Sequence, residues 1–157
     1  MIYLRSILFE CAFVFLTFCL ALVNCILGLF NRRIIIATGR VWGRATTLLL
    51  RLLCGITIEV RGREHIPEGA AIVASKHQST LEAVLFADFL SDPIFSMKEE
   101  LTRIPLLGYS IRRSGAIPIK RSGGASSLRM LIRRAKEAFK EGKQLLIFPE
   151  GTRTLPR

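Results

Sequence analysis

Residues 70–98, AAIVASKHQSTLEAVLFADFLSDPIFSMK, hold the reading on which the fold turns. AAIVAS at 70–75 is a short apolar run bounded by polar residues and predicts a strand. STLEAVLFADFL at 79–90 predicts a helix opened by S-x-x-E, and PIFSMK predicts a second strand. Further along, RIPLLGYSIRRS at 103–114 predicts a helix after Pro105, and GAIPIKR a short strand. SSLRMLIRRAKEAFKEG places apolar residues at 128, 131, 132, 135 and 139 and stops at Gly142 like a capped helix, and QLLIF at 144–148 predicts the last strand. Upstream, ITIEVRG at 56–62 also carries β-branched residues and predicts a strand, with 65–69 as the turn into AAIVAS. Strands alternating with helices imply an α/β fold, a mixed sheet flanked by helices.

The N-terminal third has another texture. Cys11–Phe30, CAFVFLTFCLALVNCILGLF, contains no charge, and about twenty such residues are what a membrane-spanning helix requires. A secretory signal is the rival reading because Arg5 precedes the stretch. It fits less well: the run is longer than an h-region, no small-x-small cleavage site follows, and Asn31, Arg32 and Arg33 come at once. The basic residues after the span outnumber the single Arg5 before it, so the positive-inside rule predicts an anchor with the rest of the chain on the cytoplasmic face. Residues 1–31 read as this anchor.

Arg33, Arg40, Arg44 and Arg51 are offset so that, at 100° per residue, they share a band of about 40° on one helix face. Residues 32–54 therefore predict an amphipathic helix lying on an anionic membrane surface; packing on the domain with a solvated basic face is the alternative. Residues 55–157 form the remaining domain. The chain ends at TRTLPR, shortly after a strand and inside a loop, which predicts a fragment without its C-terminal part.

A net charge of +11 raises the possibility of nucleic acid. Against it, the basic residues are spread over helices beside a membrane span, with no aromatic stacking platform, and anionic lipid headgroups attract the same charge. The four cysteines lie in or near apolar stretches without metal-ligand spacing, so neither a disulfide nor a zinc site is expected.

Two strand-end segments carry chemistry. His77 falls between a predicted strand and a predicted helix, where α/β sheets place ligands. Near neutrality an imidazole takes a proton from an alcohol, and a carboxylate such as Glu82 holds its tautomer. Taken alone, Ser79 and Glu82 are a capping box, and five positions on a regular helix leave His77 and Glu82 about 140° apart. A dyad therefore requires His77 in the turn, with its ring folded over the first turn of the helix. The second segment, FPEGTR, brings Glu150, Gly151 and Arg153 directly after an apolar strand; glycine lets an amide approach an anion and arginine is a forked donor for phosphate. Together these groups describe acyl transfer to a phosphorylated alcohol.

KHQSTLE, GAIPIKR and FPEGTR, in this order behind an N-terminal anchor, resemble the 1-acyl-glycerol-3-phosphate (lysophosphatidic acid) acyltransferase family of glycerolipid acyltransferases from about residue 56 onward. In that family the first motif pairs His with Asp; here the carboxylate is Glu82. The resemblance implies His77 as general base and Glu82 as its orienting partner. It also implies Arg121, Gly151 and Arg153 on the acceptor phosphate, and Glu150 and Thr152 as positioning residues. It implies no cofactor or metal, with acyl-CoA or acyl carrier protein as donor, lysophosphatidic acid as acceptor, membrane lipids as surroundings and no nucleic acid. Another lysolipid or glycerol-3-phosphate as acceptor, and a non-catalytic module binding anionic lipid, remain as alternatives.

Overall fold

A computed structural model describes residues 2–151, without the side chain of Arg121. The chain opens with α1, Ile2–Leu27, which has 26 residues and a mean hydropathy of 2.4 over its most apolar window. At 1.5 Å per residue it is about 39 Å long, enough to cross the hydrocarbon core of a bilayer. One face carries exposed apolar side chains, as at Leu4, Phe15, Phe18 and Ile26, which suits contact with lipid. Thr38 donates to the buried Asn24 amide oxygen (2.7 Å), which gives the most polar residue of the apolar run a partner.

A turn capped by Asn31, whose side chain accepts from the Arg33 amide, leads into α2, Arg32–Leu49. The helical path continues through a widened turn, Leu50–Cys54, and ends at Gly55 in the left-handed region (φ 71°). α2 folds back on α1, where Trp42 packs on Phe13 (5.8 Å between centroids) and donates to Thr17 (3.0 Å).

After a single turn at Arg63–His65 the α/β part follows. It comprises β1 Ala71–Ala74, α3 Leu81–Phe89, β2 Pro93–Lys98, a tight turn Glu99–Arg103, α4 Leu107–Ser114, β3 Ile117–Ile119, α5 Gly124–Lys140 and β4 Gln144–Ile147. The strand order is β1-β4-β2-β3, and every pairing is parallel. The sheet is thus α/β as expected but parallel throughout the described residues instead of mixed. The reason is that a helix intervenes before each new strand and carries the chain back to the starting edge.

Chain direction across the sheet sets the layers. The steps β1 to β2 and β2 to β3 run one way and β3 to β4 runs back, so right-handed crossovers put α3 and α4 on one face and α5 on the other. Under α5, Ala135 and Ala138 close on Ile94, Ile117 and Leu145. α1 and α2 pack on the α3/α4 side.

Two expectations change. ITIEVRG forms no strand: residues 56–62 run as irregular chain, with Ile56 and Val60 exposed, because no described strand lies alongside to take up its backbone groups. The basic stripe of α2 does not lie wholly on a membrane surface either. Arg40 donates to Ser91 O (2.7 Å) and Arg44 pairs with Asp88 (2.8 Å), so half of it is taken up by the α3 end of the domain, and Arg33 and Arg51 stay exposed.

Candidate active site

A parallel sheet sends all its strand C-termini to one edge, and four short segments leave this edge together. The β1–β4 ladder extends one residue past β1, where the Ser75 amide donates to Ile147 O (3.0 Å). Lys76 and His77 consequently leave the sheet beside Phe148, the first residue after β4. The imidazole of His77 stacks on the Phe148 ring, centroids 4.3 Å apart at 27°. Lys76 Nζ stands 3.8 Å from Glu150 Oε1, so the β1 and β4 loops are joined twice, once by ring stacking and once by charge.

His77 lies outside α3, in the turn before it, the placement a dyad with Glu82 requires. Its Nδ1 is 3.5 Å from Glu82 Oε2. No hydrogen bond is formed at that distance and angle, and Nδ1 is a buried atom without a hydrogen-bond partner. Glu82 is meanwhile well held. Its two oxygens accept from the Ser79 amide (3.0 and 2.9 Å), Oε1 also accepts from Ser79 Oγ (3.1 Å), and Ser79 Oγ accepts from the Leu81 amide (3.0 Å). Cap and dyad are therefore compatible: the carboxylate closes the first turn of α3 and faces the imidazole as well. With side chains 23% and 22% exposed, both groups can be reached by a substrate yet are largely screened from bulk water.

Gly151 has φ 63°, a conformation glycine adopts freely, and its amide closes a turn onto Phe148 O (3.0 Å). At the end of β2, Lys98 pairs with Glu100 (3.6 Å), whose carboxyl lies below its ordinary range, chiefly through a backbone hydrogen bond. Lys120, after β3, is exposed. Of the proposed phosphate ligands, the Arg121 side chain and all of Arg153 lie outside the described residues, as does the proposed positioning residue Thr152. His77, Glu82, Glu150 and Gly151 are brought to the same edge. Among the described residues no three His, Cys, Asp or Glu side chains converge on a metal-sized site.

Sequence reasoning passed over Phe148 and Lys76. Lys76 had a signal, its adjacency to His77; Phe148 had one only for a reader who already knew that β4 lies beside β1.

This is an α/β enzyme fold with its polar groups on strand-end loops, preceded by a helix long enough to cross a membrane. The chain belongs to the acyltransferase family, whose model matches residues 57–157. It is 39% identical over 112 residues to the 1-acyl-sn-glycerol-3-phosphate acyltransferase of Pseudomonas aeruginosa, covering 71% of this chain and 44% of that protein. It is 33% identical over 106 residues to the lyso-ornithine lipid O-acyltransferase of the same organism, covering 68% and 40%. The crystal structure of the 1-acyl-sn-glycerophosphate (LPA) acyltransferase PlsC from Thermotoga maritima superposes with a TM-score of 0.75 at 26% identity, over 98% of this chain and 64% of that one. The chain spans less than half the length of the two Pseudomonas relatives.

Proposed function

We propose that the protein transfers a fatty acyl group from a thioester, acyl-CoA or acyl carrier protein, to the free hydroxyl of 1-acyl-glycerol-3-phosphate, forming phosphatidic acid. The observation that carries this reading is the His77 imidazole at the strand-end edge, with Nδ1 3.5 Å from Glu82 Oε2 and its face on Phe148. With Nδ1 turned to the carboxylate, Nε2 is left for the acceptor hydroxyl. Nε2 takes the hydroxyl proton as the oxygen attacks the thioester carbonyl. The C–S bond then breaks, the ester C–O bond remains, and the proton passes from Nε2 to the departing thiolate. Glu82 orients the ring and offsets the positive charge it gains; in the attacking complex a small tilt shortens the contact toward the 2.7–2.9 Å typical of charged hydrogen bonds. A thioester is already activated, so neither a serine nucleophile nor a metal enters the scheme. Arg121, Gly151 and Arg153 hold the acceptor phosphate, and Glu150 and Thr152 position the acceptor.

α1 anchors the protein in this reading, with the α/β part on the cytoplasmic face. Protection of residues 55–157 from protease in right-side-out vesicles, with cleavage in inverted ones, is the expected pattern; the reverse removes the orientation.

The decisive measurement is acyl release from labelled thioester with a panel of lysolipid acceptors. His77→Ala lowers turnover by about 10²–10⁴ with the fold intact, because only the base is removed. Glu82→Gln keeps an acceptor for the Ser79 amide but loses the charge facing the imidazole, so kcat falls while thermal stability holds. Wild-type turnover in both variants means that the pair is structural, and a wild type that releases no acyl group with any acceptor means that the protein is a lipid-binding module. The likeness to a lyso-ornithine lipid acyltransferase favours one second reading, in which the acceptor carries no phosphate. Equal rates with phosphorylated and phosphate-free acceptors would establish it.

A further inference from the structure

α5 carries a second basic stripe that the reaction does not use. Arg129, Arg133, Lys136 and Lys140 fall within a band of about 60° at 100° per residue, and all four are exposed. Among the described residues none of them pairs with an acidic side chain; the ion pair on this helix, Arg134 with Glu137 (3.7 Å), lies outside the stripe. Along one margin run Leu128 and Ile132, 57% and 46% exposed. A solvated helix face gains nothing from large apolar side chains held in water, whereas a charged stripe with an apolar margin is the composition of a docking surface.

Position separates the two kinds of anionic surface that this face would fit. α5 covers the sheet face opposite α3 and α4, and the α1–α2 pair packs on the α3/α4 side. In the anchored reading given above, the bilayer lies on the α1–α2 side of the sheet, which turns the α5 stripe to the aqueous side. The N-terminal end of α5 leads to the site: a cleft of about 210 Å³ lined by Ile119, Lys120, Gly124, Ser127, Leu128 and Leu131 joins the apolar margin to the end of β3. From β3 to β1, where His77 emerges, is three strand spacings, about 14 Å.

We infer that the outer face of α5 docks a small acidic protein that carries the acyl thioester. This rests on the acyl-transfer reading given above. The stripe meets acidic side chains, Leu128 and Ile132 make the apolar contact, and the thioester arm follows the cleft to the strand-end edge. Such a surface acts mainly on encounter, so removing its charge raises KM for a protein-borne donor and leaves chemistry alone.

The test compares two donors with the same acyl chain, acyl carrier protein and acyl-CoA, on the full chain in detergent or vesicles. Arg129→Glu/Arg133→Glu/Lys136→Glu raises KM for the carrier-protein donor about tenfold or more with kcat nearly unchanged, and leaves both constants for acyl-CoA within about twofold. Arg134→Glu, a neighbour outside the stripe, leaves both donors unaffected, whereas Arg133→Glu alone shows part of the carrier effect. The wild-type KM for the carrier donor also rises with salt, and the triple variant loses this dependence. Equal loss with both donors, or with neither, overturns the inference. So does a triple variant that keeps carrier KM but no longer binds anionic vesicles, which would make the face a membrane contact. Binding of unacylated carrier protein to wild type and triple variant reads docking without chemistry. If wild type transfers nothing but binds the carrier through the stripe, the acyl-transfer reading fails and the surface stands; if neither protein binds it, the surface fails.

Discussion

Glu82 serves two partners with one carboxylate, and the distances rank them. Contacts of 2.9–3.1 Å to Ser79 are formed hydrogen bonds, and 3.5 Å to His77 is an approach. What holds the imidazole at present is therefore not mainly the carboxylate but the Phe148 ring against its face. Phe148 also supplies the carbonyl that closes the Gly151 turn, so one residue connects the proposed base with the loop proposed to hold phosphate. Phe148→Leu keeps an apolar group but removes the flat support. The expected result is a kcat lower by about ten- to a hundredfold, since about 1 Å of misplacement in a reacting group has that scale of effect. KM and thermal stability change little, and Phe148→Tyr restores most of the rate because the ring remains. A Phe148→Leu enzyme with wild-type kcat, or a Tyr variant as slow as the Leu variant, would show that stacking has no part in positioning.

The crossing of α2 over α3 depends on backbone contact at glycine. A Cβ added at Gly43 would stand 2.8 Å from Val84 O and 3.1 Å from Asp88 Cβ, so the helices touch where a side chain is lacking. One turn earlier, a Cβ at Gly39 would meet only Ala87 Cβ at 3.8 Å, an ordinary contact. The same substitution is thus expected to act with opposite signs. Gly39→Ala stabilises by about 0.5–1 kcal/mol through helix propensity, and Gly43→Ala loses about 1–3 kcal/mol because α2 must move off α3. Thermal melts of the two variants check this, and a stabilised Gly43→Ala would mean that the crossing is looser than drawn. These contacts mark the limit of what periodicity discloses. The 100° repeat groups Arg33, Arg40, Arg44 and Arg51 on one side but cannot tell that Asp88 and Ser91 O wait there for two of them, or that the chain widens into another turn before Arg51. Alternation at Ile56, Ile58 and Val60 has the look of a strand, yet a strand needs a neighbour, and neighbours are a property of the sheet. His77 and Glu82 were legible because their relation is local, a turn and the helix after it. The stacking partner of His77 was not, since β1 lies beside β4, 73 residues further along the chain.

At the scale of the whole molecule, α1 is fastened to the α/β part by more than the turn that follows it. Arg113, near the end of α4, donates through Nη2 to the Gly28 (3.1 Å) and Leu29 (3.0 Å) carbonyls in the turn that follows α1. Close by, Arg32 at the start of α2 donates to Ser114 O (2.8 Å) and pairs with Asp92, and Cys25 approaches Leu106 O (3.8 Å). Two guanidinium groups thereby connect the end of α1, the start of α2 and the far end of α4 across a junction where turn and helix-end carbonyls would otherwise lack partners. Such a junction transmits the set of α1 to the sheet, so under the proposed function α1 fixes how the strand-end edge meets a lipid-borne substrate. Arg113→Ala leaves the Gly28 and Leu29 carbonyls unsatisfied and is expected to lower stability by about 1.5–3 kcal/mol, the range for hydrogen bonds to charged groups. Amide exchange should rise at residues 28–34 while remaining slow in β4, whose ladder is remote from the change. Arg113→Lys recovers little, because an ammonium on a flexible stem lacks the planar fork. Unchanged exchange at 28–34 in Arg113→Ala, or full recovery in Arg113→Lys, would reduce these contacts to surface pairs and leave the packing of α1 on α2, with Trp42 against Phe13 and Thr17, as what holds α1 to the rest of the chain.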